Sequence, residues 1–118
     1  MDVADLVLVV DDDDDVRSVV VLALSMNGFE VIEARTVADG VAQLQDRAPA
    51  VVLTDMAFGP DSGEVVVAAC REVGVPVVVM TASVSDDVLG PLAAAGVGVV
   101  RKPFSMGDMV EAVSAAIR

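Results

Sequence analysis

A chain of 118 residues has room for one domain of the usual ~100 to 200 residues, and 28 valines and 17 alanines within an apolar fraction of 55% exclude a disordered polymer. Seven Lys and Arg against nineteen Asp and Glu leave a net charge of −12, which repels a phosphate backbone and excludes nucleic acid as a partner. There is no histidine and one cysteine, Cys70, so Ser-His-Asp and Cys-His catalysis, histidine-ligated metals, a phosphohistidine, an internal disulfide and a cysteine zinc site are all excluded.

The elements read in chain order as follows. Residues 6–10 are a continuous apolar strand, and the acidic run Asp11 to Asp15 leads into a helix over 14–26 that Asn27-Gly28 stops. On that helix Val16, Val19, Val20 and Ala23 are expected to cover the sheet, leaving Val21 and Leu22 toward solvent as a contact surface. A strand over 29–33 and a helix over 37–46 follow, then a strand over 51–54. Next comes a helix over 63–73, although Val65-Val66-Val67 favours a strand. A strand over 77–80 precedes a helix over 85–95 that Gly90-Pro91 interrupts and Gly96 stops. After a strand over 99–101, the helix over 106–117 carries Met106, Met109, Val110, Val113 and Ile117 on one stripe. The strands are apolar throughout, the pattern of a sheet covered by helices on both faces, so the alternation predicts an α/β fold with a parallel sheet. No apolar run reaches the ~18 residues of a membrane span, and Asp2 and Asp5 stand where a signal peptide carries Lys or Arg, so a cytoplasmic protein without a membrane partner is expected. Cys70 reads as a small buried hydrophobe.

The carboxylates fall at informative places. Asp11 and Asp12 follow the first strand and Asp55 the third, at the carboxyl edge where ligands bind in an open parallel sheet. Asp13 to Asp15 suit a helix cap and first turn. Asp11 and Asp12 are adjacent like charges beside a buried strand, a pair that a hard divalent cation with oxygen ligands would neutralise. Thr81 ends the fourth strand and Lys102 the fifth. Together these residues offer a carboxylate nucleophile, a metal to bridge it to a phosphoryl group, a hydroxyl and a cation.

These segments in order, LVLVVDD at 6–12, NGFEVIEA at 27–34, VVLTDM at 51–56 with Gly63 eight residues past Asp55, VVVMTA at 77–82, AAG at 94–96 and RKPF at 101–104, resemble the receiver domains of two-component response regulators across nearly the whole chain. The resemblance implies a single receiver domain over 1–118, a doubly wound, flavodoxin-like fold of five parallel strands in order 2-1-3-4-5 with five helices. It implies Asp55 as phosphoacceptor, Asp11 and Asp12 as Mg²⁺-binding acids joined by Asp55 and the Ala57 backbone carbonyl, Thr81 as switch hydroxyl and Lys102 as phosphoryl-binding cation. It further implies a cis Lys102-Pro103 bond. A histidine kinase or phosphotransferase is the implied donor, docking on the first helix. Output passes to a protein partner or to an effector domain outside this chain, with a homodimer as a further option, and no enzyme activity is implied beyond self-catalysed phosphoryl uptake and slow autodephosphorylation. Three departures stand out: the family's Pro four residues past the acceptor is Gly59 here, with Pro60 next; Val99 occupies the aromatic switch position; and Gly90-Pro91 falls in the fourth helix.

Two other classes remain open at this point. Asp12-Asp13-Asp14-Asp15-Val16 satisfies the Asp-x-Asp-x-Val pattern of haloacid-dehalogenase-type phosphatases, but no strand ending in paired acids follows Lys102. A pseudo-receiver that only binds partners would have lost an acid, the acceptor or the Lys, all of which are kept.

Overall fold

The computed structural model describes residues 4–58, 61–82 and 85–118. Its elements are β1 (Leu6–Val10), α1 (Asp14–Met26), β2 (Glu30–Ala34), α2 (Val37–Arg47), β3 (Val51–Asp55), the two-residue strands β4 (Ala57–Phe58) and β5 (Asp61–Ser62), α3 (Gly63–Val73), β6 (Val77–Thr81), α4 (Asp86–Ala94), β7 (Gly98–Arg101) and α5 (Met106–Ile117). The main sheet runs β2-β1-β3-β6-β7, which is the order 2-1-3-4-5 when only its own five strands are counted, and every pair in it is parallel. β4 and β5 form a small antiparallel ribbon. The Gly59-Pro60 departure lies outside the described residues.

Side chains alternate across a strand, so neighbouring residues serve opposite layers. Leu8, Val10, Val52 and Val79 face Leu44 of α2, Val66 and Cys70 of α3 and Leu92 of α4. Val7, Val9, Leu53, Val78 and Met80 face Val20 and Leu24 of α1 and Met109 and Val113 of α5. Because both faces are covered, β3 and β6 are buried along their full length. Cys70 is fully buried as expected, and desolvation pushes its thiol up to about 12.

Helix ends follow capping chemistry. Asp13 caps α1, its Oδ1 accepting from the N–H of Asp15 at 3.0 Å and of Val16 at 3.2 Å. At the other end Gly28, with φ +88°, donates to the Ser25 carbonyl and Phe29 to the Leu24 carbonyl. This left-handed closure claims Phe29, so the second strand begins and ends one residue later than the apolar run suggested. α3 forms despite its three valines because Val66, Val67 and Cys70 reach the core together. α4 runs through Pro91 as one helix.

One expectation fails. The buried stripe of α1 is Arg17, Val20 and Leu24, with Val21 half-buried against the core beside Val16 and Ala23. Val19 is 51% exposed and Leu22 61%, joined by Met26. The outward apolar pair is therefore Val19 and Leu22, not Val21 and Leu22. Arg17 explains the rotation, since its bonds to the Asp11 carbonyl just past β1 and to Glu33 of β2 draw position 17 inward and carry Val21 with it.

Candidate functional site

The sheet register brings the strand ends level: Val10 pairs with Thr54, Asp55 with Met80 and Thr81 with Arg101. Asp11 and Asp12 therefore leave β1 beside Asp55 at the tip of β3, with Thr81 and Lys102 completing the edge. Asp11 is fully buried while Asp12 is exposed. The Asp11 N–H donates to the Ala34 carbonyl at 3.0 Å, and its Oδ1 accepts from the Asp13 N–H at 2.9 Å. Asp55 is 7% exposed, with Oδ1 accepting from the Ala57 N–H at 3.2 Å and Oδ2 from Lys102 Nζ at 3.1 Å. Thr81 is buried, and its carbonyl accepts from the Lys102 N–H at 2.8 Å. The Lys102-Pro103 bond is cis.

One oxygen each from Asp11, Asp12 and Asp55 lies within 4.8 Å of the others. Among the described residues Asp11 Oδ2 is buried with no hydrogen-bond partner. Burial raises the Asp11 carboxyl above the ordinary range; the Asp13 N–H opposes that rise, and the Asp55 charge adds to it. Three hard oxygen donors brought together, with a buried, unpartnered oxygen on one of the three acids, make a fitting cradle for a hard divalent cation.

Sequence reasoning placed all five acid, hydroxyl and cation residues at this edge, together with Ala57. It did not foresee Thr54, whose Oγ1 donates to the Asp55 carbonyl at 3.0 Å, nor Arg17, whose Nη1 donates to the Asp11 carbonyl at 2.8 Å. Asp14, the second acid of the phosphatase-like pattern, is taken up by Arg17 and Arg35 instead of joining the cluster.

The model of the response regulator receiver domain matches residues 7–114. The chain belongs to that family. Similar curated proteins include the phosphate regulon transcriptional regulatory protein PhoB of Pseudomonas aeruginosa, 28% identical in an alignment of 117 positions that covers 95% of this chain and 51% of that protein. The transcriptional regulatory protein PrrA of Mycobacterium tuberculosis is 35% identical in an alignment of 115 positions that covers 95% of this chain and 49% of PrrA. The receiver domain thus spans about half the length of the curated relatives it matches. Among solved structures, the chemotaxis protein CheY4 of Vibrio cholerae superposes with a TM-score of 0.87 at 24% identity, covering 97% of this receiver and 99% of CheY4. The signal receiver domain of a putative LuxO repressor from Vibrio parahaemolyticus gives 0.89 at 19% identity, covering 98% and 91%. Both bear out the fold and its strand order. No helix of the described receiver is long and apolar enough to cross a membrane.

Proposed function

We propose that this receiver domain takes a phosphoryl group onto Asp55 from a histidine kinase or phosphotransferase in the cytosol and changes its partner binding as a result. A carboxylate oxygen of Asp55 attacks phosphorus, the new O–P bond forms as the P–N bond to the donor breaks, and the electron pair returns to the donor imidazole. The observation that carries this reading is the convergence of Asp11, Asp12 and Asp55, with Lys102 Nζ 3.1 Å from the acceptor. Asp11, Asp12, Asp55 and the Ala57 carbonyl would hold Mg²⁺, which when bound offsets the negative charge of the incoming phosphoryl group. Lys102 contributes a second cation and Thr81 a hydroxyl on the same edge. The chain acts on itself alone: uptake is self-catalysed, slow autodephosphorylation resets it, and it turns over no other substrate.

The donor would approach the groove between α1 and α5, where Val16, Val19, Pro103, Phe104 and Met106 lie beside Lys102. Val19 and Met106 also line its continuation with Leu22 and Met26. Output then passes to a protein partner, to an effector domain such as the remaining half of the longer relatives would hold, or to a second copy of the chain.

Incubation with acetyl phosphate and MgCl₂ should add one phosphoryl group by mass spectrometry, and Asp55→Asn should add none. Leu22→Lys should leave this uptake intact while slowing transfer from a phosphohistidine donor. Phosphorylation of Asp55→Asn to the parent level would overturn the assignment.

A further inference from the structure

Arg17 sits in the first turns of α1, 8% exposed, with its guanidinium divided among three acceptors. Nε donates to Glu33 Oε1 of β2 at 2.9 Å, Nη2 to Asp14 Oδ1, and Nη1 to the Asp11 backbone carbonyl at 2.8 Å. Two carboxylates outside the acidic cluster therefore compensate its charge, and the donor nearest the cluster is spent on a neutral carbonyl. Arg17 is not the counter-ion of Asp11, whose Oδ2 has no partner among the described residues.

That carbonyl belongs to the peptide unit joining Asp11 to Asp12. The unit before it is fixed too, because the Asp11 N–H donates to Ala34. With both flanking peptides held, the backbone of Asp11 has little torsional freedom, and the directions in which the two acids leave the chain are set. We infer that Arg17 is a positioning residue for the cation site: it locks the peptide plane between Asp11 and Asp12 so that their carboxylates converge with that of Asp55. Glu33 and Asp14 hold the planar fork in the orientation this requires, a task that a lysine ammonium cannot reproduce. The inference rests on the Mg²⁺ reading of the cluster.

Position and charge predict opposite signs. Removing a cation near three carboxylates should tighten Mg²⁺ binding by Coulomb's law, whereas removing a strut should loosen it, by about tenfold where outer-shell partners of metal ligands are lost. Calorimetric titration of MgCl₂ into the parent, Arg17→Gln and Arg17→Lys, each first shown by urea melt to fold cooperatively, reads this directly. Weaker binding in both variants is expected. A dissociation constant that is unchanged or lower in Arg17→Gln overturns the inference. Should Arg17→Gln not fold, Glu33→Asp keeps the charge of that position but shortens the arm that holds Arg17 Nε, so charge alone predicts no loss of affinity. Glu33→Asp should weaken Mg²⁺ binding several-fold, and an unchanged dissociation constant overturns the role. Absence of Mg²⁺ binding by the parent itself would instead overturn the reading of the cluster, and the inference with it.

Discussion

Asp11 has no exposed surface, its Oδ2 meets no donor among the described residues, and Asp55 and Asp12 add like charge. Because its folded carboxyl is raised above the unfolded value of 3.8, mainly by burial, the native state favours the protonated form. The stability this group contributes is fully present below the unfolded value and lost as pH rises through the folded one, so at neutral pH without metal the ionised Asp11 opposes folding. Asp11→Asn keeps the Oδ1 acceptor for the Asp13 N–H and places an amide donor among carboxylates. Without Mg²⁺ the variant should be more stable than the parent by about 1 kcal/mol, the order of one unsatisfied buried acceptor, and it should lose most of the stabilisation that MgCl₂ gives the parent. Urea melts in EDTA and in MgCl₂ compare the two, and a lower midpoint for the variant in EDTA would mean that the carboxylate supports the fold.

At the scale of elements, the entry of α3 onto β3 depends on an absent side chain. A Cβ at Gly63 would lie 2.2 Å from the Asp55 carbonyl oxygen and 2.8 Å from the Met56 Cα, both backbone, so one element would have to shift. Gly63→Ala should cost roughly 2 kcal/mol by overpacking and disturb the acceptor. Gly107→Ala in the first turn of α5, where a Cβ would meet only the Ser105 Oγ at 3.9 Å, should instead gain about 0.5 kcal/mol of helix propensity. Thermal melts of the two variants should therefore move in opposite directions. Gly63 was visible in the sequence as part of a spacing, but its reason was not, because the clash is with a strand end that only the fold brings near. The strands were legible because apolar runs covered on both faces carry no polar alternation, and the acids were legible because each follows such a run. The face of α1 was not. Valine or alanine stands at so many positions from 16 to 23 that hydrophobic periodicity offers little contrast, and the decisive contact is a cation drawn in by a carbonyl and by Glu33, sixteen residues away.

Over the whole molecule, nineteen acids against seven basic residues make self-repulsion a general cost of the folded state, while one acidic cluster concentrates it locally. The two respond differently to cations. Screening by NaCl acts on every exposed pair through ionic strength alone, with a Debye length near 10 Å at about 0.1 M, and should raise the melting temperature gradually. Binding at the cluster acts by mass action, so Mg²⁺ at about ten times its dissociation constant should add roughly 1.4 kcal/mol, a shift on the order of 5 °C for a domain of this size. Melts in MgCl₂ and in NaCl at matched ionic strength separate the effects, and the parent should be distinctly more stable in MgCl₂. Asp55→Asn should keep the NaCl response, since it alters one charge in many, and lose most of the difference between the salts, since it removes one of three converging oxygens. Equal melting temperatures for the parent in the two salts would show that the acids are only a diffuse negative surface, and the cation site would have to be abandoned.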